Sequence, residues 1–184
     1  VIKLVQAYPD NIIGCKDSSY NLYENLNLPN FLMFPGSESK LLKGLELGCS
    51  GCISAVTNVT HSLARKVFDD FENKISQSKN KQLINVRETF DQYNLISALH
   101  SFLSIKDEKF KNIMPPLVLL SEEKNKELID KLKKLEFISK KNLAAWFMIL
   151  ARIFTSIYKE CVIMLIDPKR FIFKFKNFFH KKPI

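Results

Sequence analysis

Residues 11–19 have the sequence Asn-Ile-Ile-Gly-Cys-Lys-Asp-Ser-Ser, and this stretch decides the fold. Its β-branched start predicts a strand over residues 11–16. Strand alternation places Ile12, Gly14 and Lys16 on one face, with Lys16 at the carboxyl end. Gly14 leaves room beside Lys16 for a ligand or a neighbouring strand. In α/β folds the carboxyl ends of strands carry the chemistry, so Lys16 is a candidate reactive group.

Two more short apolar runs follow this strand. Residues 31–34 are Phe-Leu-Met-Phe and stop at Pro35-Gly36, and residues 51–56 form the third run. Helical spacing of apolar residues predicts helices before and between the strands, over residues 1–8, 39–47 and 61–75. Strands that alternate with helices indicate right-handed βαβ units and a parallel sheet. The pattern changes after residue 76, where residues 79–104 predict two helices and Ser121 caps a helix that runs to about residue 137.

Composition and charge exclude several classes of protein. The chain has 184 residues, of which 46% are hydrophobic, with only 5 Gly and 7 Pro, so it is not a disordered or low-complexity segment. The net charge of +9 is concentrated in residues 139–184, which hold ten Lys/Arg and two Asp/Glu. The rest is nearly neutral, so no nucleic-acid partner is expected. Four cysteines and the absence of a secretory pattern in residues 1–11 predict a cytoplasmic protein.

The position of Lys16 allows two interpretations, a reactive amine or a surface group. An apolar barrel mouth would disfavour the ammonium form, and a neutral amine is a nucleophile that forms a Schiff base with a carbonyl substrate. A lysine at a strand end is more often a solvated or ion-paired surface group. From the residues alone, catalysis is the less common of the two outcomes.

Four segments resemble the dihydrodipicolinate synthase/N-acetylneuraminate lyase family. They occur in the family's order and at its spacing: Gly-Cys-Lys-Asp-Ser-Ser at 14–19, Phe-Pro-Gly-Ser-Glu at 34–38, Gly-Cys-Ser-Gly-Cys-Ile-Ser-Ala-Val-Thr-Asn-Val at 48–59, and Met-Pro-Pro-Leu at 114–117. The resemblance covers about residues 1–138. It implies an α/β fold, namely the C-terminal part of a (β/α)₈ TIM barrel (strands six to eight) plus a C-terminal helical extension. Residues 1–76 would form the last β/α units, residues 77–138 the extension, and residues 139–184 a basic, apolar tail.

The resemblance also implies an activity. Members of the family are class I lyases, aldolases or synthases that act on 2-oxo acids such as pyruvate, commonly as homotetramers. Lys16 matches the residue that forms the imine with the keto carbon. Gly36 and Ile53 match positions that line the pocket, and Ser37 and Glu38 match the turn that contacts the variable part of the substrate. No cofactor or metal is implied, and the expected partners are a small 2-oxo acid and further copies of the protein.

The chain departs from the family pattern in ways that bear on activity. A barrel of this type needs about 250 residues, and the first five strands, the carboxylate-binding loop and the proton-relay tyrosine have no counterpart here. Met114 stands where the family has a basic residue. We therefore expect a fragment that is inactive alone, whose full-length parent is a dihydrodipicolinate synthase, a 2-keto-3-deoxy sugar acid aldolase or an N-acetylneuraminate lyase.

Other features leave alternatives open. Residues 139–184 predict a membrane-surface anchor, an extra partner helix, or non-native sequence from an altered reading frame. A non-catalytic half-barrel interaction module with this basic tail is the alternative to an enzyme. Cys49, Cys52 and His61 invite a zinc hypothesis, but a closed site needs four ligands, so packing of the two cysteines is the preferred interpretation.

Overall fold

The computed structural model describes residues 1–19 and 22–138. Predictions about the tail of residues 139–184 lie outside this range. The elements follow one another in the order α1 (Ile2–Ala7), β1 (Gly14–Asp17), α2 (Leu22–Asn25), β2 (Leu32–Pro35), α3 (Leu41–Glu46), α4 (Thr57–Glu72), α5 (Asn80–Asp91), α6 (Leu95–Ser104) and α7 (Glu122–Lys134). Two short 3₁₀ turns occupy Glu38–Lys40 and Glu108–Lys111.

The predicted parallel pairing is present between the first two strands. β1 and β2 run parallel, with Gly14 opposite Leu32 and Lys16 opposite Phe34. A Cβ atom added to Gly14 would lie 2.6 Å from the Leu32 carbonyl oxygen. The room that Gly14 provides is therefore used by the neighbouring strand.

The prediction of a regular third strand over residues 51–56 is wrong. Residues 51–54 run beside β2, but only two amides of this region, those of Ser50 and Ile53, donate hydrogen bonds to that strand. The Ser50 amide donates to the Met33 carbonyl and the Ile53 amide to the Pro35 carbonyl, each at 3.0 Å. The segment thus advances three residues while β2 advances two, which leaves one residue unpaired as in a β-bulge. Gly51, at φ 148°, lies between the two hydrogen bonds.

The helical predictions are confirmed with shifted ends. The helix predicted over residues 61–75 is α4 (Thr57–Glu72), and residues 79–104 form the two helices α5 and α6. Ser121 caps α7, its hydroxyl oxygen accepting from the Lys124 amide. No helix of the described residues is long and apolar enough to cross a membrane.

The largest apolar cluster joins the two predicted parts of the chain. Its buried members come from α4 and the residue before it, and from α5, α6 and α7: Val56, Val59, Val86, Phe90, Ala98, Leu99, Phe102, Leu128 and Leu132. A second cluster packs α3 against α4, and a third lies under β1 and β2. The helices after residue 76 therefore pack against α4 of the β/α part, and the division at residue 76 stays a prediction.

Candidate functional site

Lys16 lies on the face of β1 opposite to that of its two neighbours. Its neighbours Cys15 and Asp17 face the other way: Cys15 packs against the cluster that contains Met33, and Asp17 is only 3% exposed. Strand alternation accordingly places Lys16 on the opposite face, where its side chain is exposed. Phe34, the residue opposite Lys16 in β2, is buried, but the Lys16 side chain is exposed, so the described residues do not enclose the amine.

Asp17 fixes the end of the strand directly after Lys16. Its carboxylate accepts from the Tyr23 amide at 2.8 Å and from the Ser19 hydroxyl at 2.6 Å. Burial alone would raise the pKa of Asp17, but these hydrogen bonds outweigh it and hold the pKa below its usual value. β1 is thereby tied to α2. Sequence reasoning missed this role, although an Asp whose side chain bonds residues just after it is a known loop signal.

The turn after β2 lies against the same strand end. The Gly36 amide donates to the Asp17 carbonyl at 2.7 Å, and a Cβ at position 36 would lie 2.9 Å from that oxygen. Only glycine permits this approach without movement of the backbone. Ser37, which is partly exposed, caps the first 3₁₀ turn, and its hydroxyl oxygen lies 2.8 Å from that of Ser39.

Ile53 lies on the other side of β2. Its amide donates to the Pro35 carbonyl at 3.0 Å, one residue before Gly36. Backbone hydrogen bonds therefore connect three adjacent segments at their carboxyl ends, through Asp17, Gly36 and Ile53. Four of the five predicted site residues, Lys16, Gly36, Ser37 and Ile53, are at or beside these ends and are at least partly exposed.

Glu38, the fifth predicted residue, is fully buried. One carboxylate oxygen accepts from Ser54 and from Arg87, the latter at 3.1 Å, and the other accepts from Thr60 at 3.2 Å. Direct contact between Glu38 and a substrate stays a prediction. In this arrangement the carboxylate would have to leave all three partners to make that contact.

Arg87 reaches this carboxylate from α5, and no sequence signal pointed to it. One terminal nitrogen donates to Glu38 and, at 2.9 Å, to the Ser54 hydroxyl, while Nε donates to Asp91 at 2.8 Å. Burial opposes the charge, but the carboxylates of Asp91 and Glu38 raise the pKa of Arg87 above its ordinary value. We call Glu38, Ser54, Thr60, Arg87 and Asp91 the Arg87 network.

The described part of the chain has no arrangement of side chains that would support the zinc hypothesis. Cys49 packs in the cluster beneath β1 and β2, whereas Cys52 packs in the separate cluster between α3 and α4. Burial raises the pKa of Cys49 to about 11 and that of Cys52 to about 12, which keeps both thiols protonated. No three His, Cys, Asp or Glu side chains converge among residues 1–19 and 22–138.

Two parallel strands joined through a helix, with candidate residues at their carboxyl ends, define an α/β protein. The chain belongs to the dihydrodipicolinate synthetase family, whose model matches residues 1–135. This confirms the family predicted from the four sequence motifs, and it means that the two strands described here belong to a TIM-barrel family. No curated protein matches the chain significantly.

Solved structures share the fold at low sequence identity. Dihydrodipicolinate synthase from Thermotoga maritima is 18% identical (TM-score 0.63, 73% of this chain and 50% of that one covered). A prophage protein of the dihydrodipicolinic acid synthase family from E. coli K12, in complex with pyruvate, is 18% identical (TM-score 0.59, 74% and 50% covered). A variant of Sulfolobus solfataricus 2-keto-3-deoxygluconate aldolase is 21% identical (TM-score 0.57, 67% and 45% covered). The chain spans about half the length of these structures.

Proposed function

We propose that this chain supplies strands six to eight and the helical extension of a Schiff-base-forming class I lyase or aldolase that acts on pyruvate-type 2-oxo acids. One observation carries the proposal. Lys16 is exposed near the end of a parallel strand, and backbone hydrogen bonds connect that strand end to the turn at Gly36 and onward, through Pro35, to Ile53. Family membership adds the class of chemistry.

The proposed reaction begins at the Lys16 amine. The neutral nitrogen attacks the keto carbon of the 2-oxo acid, a C–N bond forms, and the carbonyl oxygen leaves as water after proton transfer. The resulting protonated imine withdraws electrons from the neighbouring carbon, which can then break or form a C–C bond. Lys16 is regenerated when water hydrolyses the imine.

The residues around Lys16 take different parts in binding. Gly36 and Ile53 line the pocket and bring backbone groups close to the keto acid. Ser37 presents its hydroxyl to the variable part of the substrate. Glu38 belongs to the same turn, and its buried carboxylate anchors that turn through the Arg87 network.

Two of the matched structures are of proteins associated with 2-oxo acids. One is a complex with pyruvate and another is a 2-keto-3-deoxygluconate aldolase. We infer a 2-oxo acid substrate for this chain from that shared chemistry. The second substrate depends on contacts that these residues do not define.

Turnover requires more than residues 1–184. The exposed face of Lys16 needs a cover that desolvates the amine, and we propose that further β/α units provide it. We also propose that the complete protein is a cytoplasmic homo-oligomer that works without a cofactor. Residues 1–184 alone are then expected to give no retro-aldol turnover, and measurable turnover by this polypeptide would contradict the proposal that it is a fragment.

Reductive trapping tests the role of Lys16. Residues 1–184, and the longest polypeptide that the gene encodes, are incubated with pyruvate and borohydride, which reduces an imine to a stable secondary amine. Peptide mapping is expected to place the adduct on Lys16 in the gene-encoded polypeptide, and Lys16→Arg should abolish it.

Lys106→Arg is the matched control for this experiment. Burial lowers the pKa of Lys106 to about 8, so this amine is the strongest competitor for pyruvate among the lysines described. The control variant should retain the Lys16 adduct. An adduct confined to Lys106, or no adduct at saturating pyruvate, would reject Lys16 as the Schiff-base residue.

A further inference from the structure

We propose that Arg87 is a positioning residue for the candidate site, through which the helical part of the chain holds the pocket turn in place. The inference rests on the proposed function, because it assigns Arg87 a part in substrate binding at that site. Arg87 does not reach the pocket itself. It acts through Glu38 and Ser54, each of which directly follows a candidate pocket residue in the chain.

The geometry of the contacts supports this assignment. The guanidinium is 12% exposed at its side chain and bonds the Glu38 carboxylate at 3.1 Å and the Ser54 hydroxyl at 2.9 Å. Glu38 follows Ser37 on the turn after β2, and Ser54 follows Ile53 on the neighbouring segment. One side chain of α5 therefore binds both segments, which are also joined by the Ser54–Glu38 hydrogen bond and through the backbone of β2.

Electrostatics makes this bridge hard to replace. Glu38 is fully buried, so without Arg87 its negative charge would keep only the Ser54 and Thr60 hydroxyls as partners. A buried carboxylate that loses its cation must find water or move. Movement of Glu38 displaces Ser37, and release of Ser54 displaces Ile53.

Asp91 completes the arrangement on the helix side. It receives both bonds of Arg87 Nε, at 2.8 Å and 2.9 Å, and fixes the guanidinium along α5. A lysine at position 87 has a single nitrogen and cannot span Asp91 and the Glu38–Ser54 pair together. The geometry therefore requires arginine, and Arg87→Lys should rescue little.

The first measurement is amide hydrogen exchange in residues 1–184. Arg87→Gln should accelerate exchange at the Gly36 and Ile53 amides by about tenfold or more, the order expected when a buried charged hydrogen bond is lost. Arg65→Gln is the matched control, because Arg65 forms an i,i+4 pair with Asp69 at 2.6 Å on partly exposed α4 positions. That control should leave both amides unchanged.

A general loss of stability must be separated from positioning. Leu83→Ala removes a fully buried apolar side chain of the same helix, which packs in the cluster between α3 and α4 and makes no hydrogen bond to the network. After correction for global stability, exchange at Gly36 and Ile53 should be faster in Arg87→Gln than in Leu83→Ala. Equal exchange in the two variants would overturn the positioning role.

The second measurement uses pyruvate trapping in the polypeptide in which Lys16 is labelled. Arg87→Gln should raise the pyruvate concentration for half-maximal trapping by about tenfold while the maximal rate changes less than about twofold, since binding contacts and not the amine are altered. Glu38→Gln combined with Arg87→Gln should add little to Arg87→Gln alone.

The two proposals fail differently. If no adduct forms on Lys16 in the parent chain, the proposed function fails, and hydrogen exchange still decides whether Arg87 holds the turn. If Lys16 is labelled but Arg87→Gln changes neither exchange nor half-saturation, the positioning role is rejected while the Schiff-base role stands.

Discussion

The two faces of the β1–β2 pair differ in how completely this chain covers them. On the helix side, Cys15, Met33 and Tyr23 pack together, and α4 to α7 enclose a continuous apolar cluster. On the other face Lys16 is exposed, although Phe34, opposite it in β2, is buried. Several large apolar residues of the first thirteen positions are exposed as well. These are Val1, Ile2, Leu4, Tyr8 and Ile13.

The difference separates residues that hold the fold from residues available for chemistry. α1 buries none of its residues, whereas each of α4 to α7 buries at least two. Because burial of apolar surface is the main source of stability, the folding energy of this chain resides in the helical side. The candidate amine lies instead at an exposed position of β1.

The largest effect expected from this contrast is on stability. Phe90 is fully buried, with its ring 5.8 Å from that of Phe102, so Phe90→Ala should cost about 3–5 kcal/mol of unfolding free energy. Leu4→Ala, at a position that is 56% exposed, should cost less than about 0.5 kcal/mol. Urea unfolding of the two variants measures both values. Similar losses would show that α1 is packed in solution, and the contrast between the faces would then be wrong.

Sequence reasoning identified the family, the parallel pairing of the first two strands and the helical part, because these depend on local patterns. Period-two and period-3.6 spacing depend on neighbours along the chain, and the Ser121 cap is likewise local. The prediction of the third strand was wrong because strand pairing depends on a neighbouring segment and cannot be read from a local pattern. Residues 51–56 have the composition of a strand, but their pairing with β2 is offset by one residue.

The candidate site was predicted only where a motif marked it. Lys16, Gly36, Ser37 and Ile53 came from family motifs, and the structure brings their segments together at one edge. The burial of Glu38 and its link to Arg87 could not be predicted, because the two residues are 49 positions apart in the chain. A carboxylate in a pocket motif has the same sequence signature whether it faces a substrate or an internal arginine.

A smaller effect tests the packing between the strands. Gly14→Ala would bring a Cβ within 2.9 Å of the Leu32 Cβ and 2.6 Å of its carbonyl oxygen, so β1 and β2 must separate. We expect a cost of about 1–3 kcal/mol and a loss of pyruvate labelling at Lys16. Ile13→Ala, one residue earlier and exposed, serves as the control. Unchanged stability and labelling in Gly14→Ala would contradict the close pairing of the strands.

The smallest expected effect is on the pH dependence of stability. It is tested by comparing a lysine of the helical part with a lysine on the surface. Burial lowers the pKa of Lys106 to about 8, whereas its amine titrates near 10.5 in the unfolded chain. Between these values the unfolded chain binds more protons than the folded one, so the contribution of Lys106 to stability rises with pH from about 8 to 10.5. Below pH 8 the folded state carries the full penalty of a buried charge.

Lys106→Met removes this contribution, and Lys126→Met, at an exposed position, is its control. The urea midpoint of the wild-type chain should therefore rise between pH 7.5 and pH 10 relative to that of Lys106→Met, but not relative to that of Lys126→Met. Parallel midpoints for all three proteins would mean that Lys106 is solvated. A lowered lysine pKa on the helical side also bears on the proposed function, because desolvation of an amine is only one of the features that the proposal requires. Lys106 follows a helix, whereas the proposal places the imine-forming amine at Lys16, where the carboxyl ends of adjacent segments meet.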